Sequence, residues 1–92
     1  MRLVVDATAW RDLDDIGVWI ARDNVAAARR VLKSILQTIA QVQQFPGLAR
    51  PGRVSGTRER IVAGTHYIVV FELWDNSSAI VVTAVVHAAR HQ

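Results

Sequence analysis

Ninety-two residues carrying 11 Lys+Arg, 8 Asp+Glu and a net charge of +3 leave room for one modest core and exclude a second. No apolar run approaches the roughly 18 residues of a membrane span, and the opening Met1-Arg2-Leu3-Val4-Val5-Asp6 meets an acid before a signal-type h-region develops. Cysteine is absent, which excludes disulfides, a thiolate nucleophile and a Cys-based zinc site.

These bounds predict a single cytoplasmic domain over residues 1–92 that is stabilised by packing alone. The mean hydropathy of +0.19 is high for so small a chain and points the surplus apolar surface toward a protein partner rather than a bilayer. Charge is unevenly placed. Asp12, Asp14, Asp15 and Asp23 crowd the first quarter, whereas Arg50, Arg53, Arg58 and Arg60 crowd the middle. Lys33 is the one lysine, and the arginines suit planar recognition of carboxylate or phosphate.

In chain order, Arg2 to Asp6 is short, β-branched and apolar, the pattern of a first strand. From Ala7 to Arg22 the spacing becomes helical, with Ala9, Leu13, Ile16 and Ile20 on one stripe and Asp6 or Thr8 as the N-cap. Asp12, Asp14 and Asp15 read as a solvated, dipole-favoured helix face, since no further ligand stands beside them at metal-binding spacing. Trp10 and Trp19 read first as core or hairpin contacts, with partner binding as the other use of such aromatics.

Asp23-Asn24 breaks the pattern and offers a fresh cap. Val25, Ala28, Leu32, Ile35, Ile39 and Val42 then recur at three- and four-residue steps, a second helix joined to the first as an antiparallel hairpin. Phe45-Pro46-Gly47 ends it, and a Gly/Pro/Arg-rich connection without apolar period runs to about Thr57.

From Arg58 the period is two. A strand to about Val62, a turn at Ala63-Gly64-Thr65-His66, and a strand from Tyr67 to Trp74 form a hairpin. After the turn Asp75-Asn76-Ser77-Ser78, the nearly all-apolar run from Ala79 to His87 predicts a central last strand. The fold class is α+β, in the order β-α-α-β-β-β, with the N-terminal helical hairpin packed on a curled, mainly antiparallel sheet. Arg58, Arg60, Tyr67, Glu72 and Thr83 are expected on its helix-free face, together with His87 and Arg90.

This order of elements resembles the ParE/RelE superfamily of bacterial type II toxin–antitoxin toxins. The likeness is carried by A9-W-R-D-L-D-D-I16, P51-G-R-V-S-G-T-R-E-R-I-V62, G64-T-H-Y-I-V-V-F71 and the terminal H87-A-A-R90, and it covers nearly the whole chain. It implies a growth-inhibiting toxin neutralised by a cognate antitoxin of the ParD-like, ribbon-helix-helix kind with a C-terminal toxin-binding segment. DNA would be met only indirectly, through that antitoxin. ParE-like members inhibit DNA gyrase, RelE-like members cleave mRNA on the ribosome, and a third class is a non-toxic member that only binds antitoxin.

Metal-free RNA cleavage needs a base, an acid and cations around the phosphate. His87, Arg58, Arg60, Arg90 and Tyr67 are the residues able to supply them. Relative to the nuclease branch, the strand entry T65-H-Y-I68 has no Lys or Arg and the tail A88-A-R-H-Q92 has no tyrosine, so the spelling resembles the ParE branch. The expectation is therefore a gyrase-binding inhibitor without cofactor or metal. It would contact its target through Arg53, Arg58, Arg60, His87 and Arg90, and its antitoxin through Trp10, Leu13, Trp19, Leu32 and Leu36. His66 and His91 read as a turn residue and a solvated tail.

Overall fold

A computed structural model describes residues 1–90, apart from the side chain of Ser77, so His91 lies outside the described residues. Strand β1 (Arg2–Val5) leads into α1 (Ala7–Ala21), whose first N–H donates to the Asp6 carboxylate at 2.7 Å. Asp6, not Thr8, is thus the N-cap. Asn24 caps α2 (Val25–Gln44) by accepting from the Ala27 N–H at 3.0 Å, and the short link between the helices forces the antiparallel hairpin. Phe45 closes α2, and Pro46 opens a single 3-10 turn, where its missing N–H costs nothing.

The connection after α2 is less irregular than its composition suggests. Arg50–Pro51 form a two-residue strand β2 that pairs antiparallel with β3 (Arg58–Ile61), and the Gly52 N–H donates to Thr57 O at 2.8 Å. A two-residue strand has no readable period, and proline is tolerated there because the strand lies at the sheet edge. β4 (Tyr67–Trp74) and β5 (Ala79–His87) occupy the expected stretches. The turn before β4 places Gly64 at φ +76, and the turn before β5 places Ser78 at φ +49.

The sheet order is β1-β5-β4-β3-β2, with β1 parallel to β5 and every other pair antiparallel. β5 is an interior strand, flanked by β1 and β4, in keeping with its apolar run, although β4 is the middle of the five. Between the pairs Phe71↔Val82 and Val70↔Ala84, Thr83 is left over in β5 as a bulge.

Both helices lie on one face, and the core consists of Ala9, Leu13 and Ile16 of α1, Ile35, Ile39 and Val42 of α2, and Val62, Val69, Phe71, Ile80, Val82 and Val85 beneath them. Strand alternation then assigns the remaining side chains. Arg60 and Arg58 pair with Val69 and Phe71, and Tyr67 pairs with His87 on that same helix-side parity. The expected gathering of these four residues on the helix-free face with Glu72 therefore does not occur. Glu72 faces the other way, alongside Glu59, Ile68, Val70 and Val81. Among the described residues, no helix is long and apolar enough to cross a membrane.

Candidate functional site

Two of the surface concavities formed by the described residues bear on the site. The first, of about 520 Å³, lies between one flank of α1 and the C-terminal end of β5, and is lined by Asp12, Asp15, Trp19, Tyr67, His87 and Arg90 among others. Tyr67 and His87 meet edge to face, with ring centroids 5.3 Å apart at 86°, and the His66 ring centroid stands 5.6 Å from that of His87. The Ala89 N–H donates to His87 Nδ1 at 3.2 Å, so Nδ1 is engaged by the backbone. The chain turns immediately afterwards, where Ala88 N–H bonds to His66 O and Arg90 N–H to His87 O, bringing exposed Arg90 back to the groove.

Asp12 has a role that its reading as a solvated acid missed. Its Oδ2 accepts the Val85 N–H at 2.9 Å, beyond the point where β1 stops pairing with β5 at Val82. A sheet-edge amide that would otherwise be unpaired is satisfied from α1. The signal was positional: Asp12 stands three residues from Ala9 and four from Ile16, both buried, so it borders the core stripe. Asp14 and Asp15 remain exposed.

The second concavity, of about 500 Å³, runs along the outer side of α2 and is lined by Arg29, Leu32, Lys33, Leu36, Gln37 and Ala40. Its floor is apolar and its rim cationic. Leu32 also closes over α1, since a Cβ on Gly17 would stand 3.1 Å from its Cδ1.

The residues expected to bind an antitoxin divide accordingly. Leu32 and Leu36 share the α2 groove, whereas Leu13 is 6% exposed inside the core and presents no surface to a partner. Trp10 and Trp19 are not core residues, being 54% and 60% exposed. Nine residues apart at about 100° each, they point from opposite flanks of α1. Trp19 belongs to the first groove and carries the Arg22 guanidinium over its ring at 5.3 Å.

The arginines do not converge either. Arg53 is exposed on the loop after β2, and its backbone N–H bonds to Glu59 Oε2 at 3.0 Å. Arg60 is half-buried, and its Nη1 donates to Leu48 O at 3.1 Å, tying β3 to the turn that ends α2. Arg58 on β3 lies four positions along the sheet from the Tyr67–His87 pair, about 13 Å, and stands one strand from Tyr67 and two strands from His87, about 5 Å and about 10 Å at standard strand dimensions. Tyr67, His87 and Arg90 share one groove, while Arg58 and Arg60 lie outside it and Arg53 is displayed on a separate loop. Among the described residues no group of three or more His, Asp or Glu is placed to hold a metal ion.

A family model described as the ParE toxin of the type II toxin–antitoxin system parDE matches residues 3–92. Y4kP, a candidate toxin of Sinorhizobium fredii, is 35% identical over 80 residues, covering 87% of this chain and 80% of that protein. Among solved structures, the chromosomal ParDE system of P. aeruginosa matches with a TM-score of 0.82 at 20% identity, over 95% of each chain. The RelBE2 toxin–antitoxin complex of Mycobacterium tuberculosis matches with a TM-score of 0.71 at 21% identity, over 94% of this chain and 95% of that one. At these identities the two structures establish the fold.

Proposed function

The chain belongs to the ParE toxin family of type II toxin–antitoxin systems, and on that premise we propose that it stops growth by docking on DNA gyrase in the cytoplasm rather than by cleaving RNA. The observation that carries this reading is that neither Arg58, four positions along the sheet from Tyr67, nor Arg60, tied to Leu48 O, lines the groove of Tyr67, His87 and Arg90. A phosphoryl-transfer site needs its base, acid and cations within hydrogen-bond reach of one phosphate. Arg53 on its loop and Arg90 beside His87 instead supply two exposed cationic contacts for a protein target.

The cognate antitoxin is assigned to the α2 groove. An acidic amphipathic helix would lay its apolar side on Leu32 and Leu36 and its carboxylates against Arg29 and Lys33. Trp10 shares the flank of α1 that carries Gly17, the position that meets Leu32, while Trp19 lines the other groove. The test is plasmid supercoiling by purified gyrase with added toxin: inhibition that the antitoxin relieves is the expected result. Unimpaired supercoiling at saturating toxin, with toxin-expressing cells still arrested, would overturn it.

One observation favours a second reading, ribosome-dependent mRNA cleavage, namely the Tyr67–His87 contact with Arg90 in the same groove. Primer extension on translated mRNA distinguishes it, since A-site cleavage that disappears in Tyr67→Phe or His87→Ala would establish catalysis.

A further inference from the structure

Glu59 is the one charged residue among the buried described side chains, at 2% exposure, and it sits on the helix-free face of β3 opposite Val70. A carboxylate placed there must be compensated, and two of the groups that meet it come from the chain segment beside it. Oε1 pairs with Arg50 Nη2 of β2 at 3.3 Å, and Oε2 accepts the Arg53 N–H at 3.0 Å. One side chain thus grips both the edge strand and the residue that leaves it.

The loop beyond the grip is self-contained. The Gly52 N–H bonds to Thr57 O at 2.8 Å, and a Cβ on Gly52 would collide with Thr57 Oγ1. Thr57 bonds to Val54 O through both its N–H, at 3.1 Å, and its hydroxyl, at 2.7 Å, while Gly56 turns the chain at φ +86. The tip is a small rigid unit presenting exposed Arg53 and Val54, the latter 65% exposed. β2 offers only two residues of sheet pairing to hold that unit in place.

We propose that Glu59 is a positioning residue whose buried carboxylate clasps Arg50 and the Arg53 backbone, fixing the loop of residues 52–57 so that Arg53 and Val54 are displayed to the toxin's protein target as one cationic and aliphatic contact. This rests on the reading that the arginine loop engages a target. Glu59→Gln probes the clasp with little change of volume. A carboxylate accepts at both oxygens, whereas an amide turns an NH2 toward either Arg50 or the Arg53 N–H, setting donor against donor. Arg50→Met is the second variant, removing one arm of the clasp from an exposed position while the Glu59 carboxylate keeps its bond to the Arg53 N–H.

The measurement pairs amide hydrogen exchange with potency, read both as gyrase inhibition and as growth arrest per molecule of toxin. In Glu59→Gln, exchange at residues 53–57 is expected to speed by about tenfold or more, as loss of a charge-assisted bond implies. Core amides such as Val69 and Phe71 should keep their protection, and potency should fall by a similar factor. Arg50→Met should shift both readouts in the same direction by less. Unchanged loop exchange in both variants would overturn the clasp, and a loosened loop with undiminished potency would overturn its role in display. A wild-type toxin that arrests growth without inhibiting gyrase would remove the target assignment, and the clasp would then be judged on growth arrest alone.

Discussion

Asp12 ties α1 to the part of β5 that β1 does not reach, where the Val85 N–H donates to its carboxylate at 2.9 Å. In the sequence it is one of three acids on a helix, and nothing in their chemistry separates them. In the structure it alone joins α1 to β5 by accepting the Val85 N–H. Asp12→Ala is expected to destabilise the protein by about 1–2 kcal/mol, because Val85 N–H is left without its acceptor. Asp15→Ala should stay within about 0.5 kcal/mol of wild type, as for an ordinary surface change. Urea denaturation of the two variants decides this, and equal effects would show that the bond contributes nothing. Leu13 makes the complementary point: a leucine on an apolar stripe was legible as helical, but not as core rather than interface. Buried at 6% exposure, Leu13→Ala should cost about 2–5 kcal/mol. Any loss of antitoxin binding should then follow from unfolding and disappear when folded protein is measured.

At the scale of elements, the helices, β4 and β5 were readable because each runs long enough to show its period. β2 was not, being two residues long and half proline. The assignment of strand faces failed for a related reason. Register decides which side an alternating strand shows, and the pairing of Arg58 with Phe71 is not written in either segment. The helical hairpin depends on a close approach that the sequence leaves implicit at Gly17. A valine there would press on Leu32 from about the distance of an overpacked core contact and should cost about 1–3 kcal/mol. The same change should weaken antitoxin binding, since Leu32 also forms the floor of the α2 groove. Leu36→Glu tests that groove without touching the hairpin, as Leu36 is 52% exposed. Its thermal stability should match wild type, and its affinity for antitoxin by titration calorimetry should fall by about tenfold or more, as for a charge placed on an apolar hot spot. Unaltered affinity would move the antitoxin elsewhere.

For the molecule as a whole, the charge asymmetry noticed in the sequence survives in altered form. Acids line one flank of α1, cations rim the α2 groove, and the middle arginines separate, with Arg60 used to fasten β3 to the end of α2 and Arg53 set out on a clasped loop. The family was legible because motif order survives without a three-dimensional map. The site was only half legible, because which arginines are structural and which are displayed depends on contacts such as Arg60 with Leu48 O that join residues twelve apart. Stoichiometric docking is the proposed mode of action, and its most direct test is the rate of gyrase supercoiling measured against the molar ratio of toxin to gyrase. Inhibition should grow until the two are matched, change little with further toxin, and be reversed by antitoxin. Full supercoiling in large toxin excess, with translated mRNA cut at the ribosomal A site under the same toxin, would contradict it.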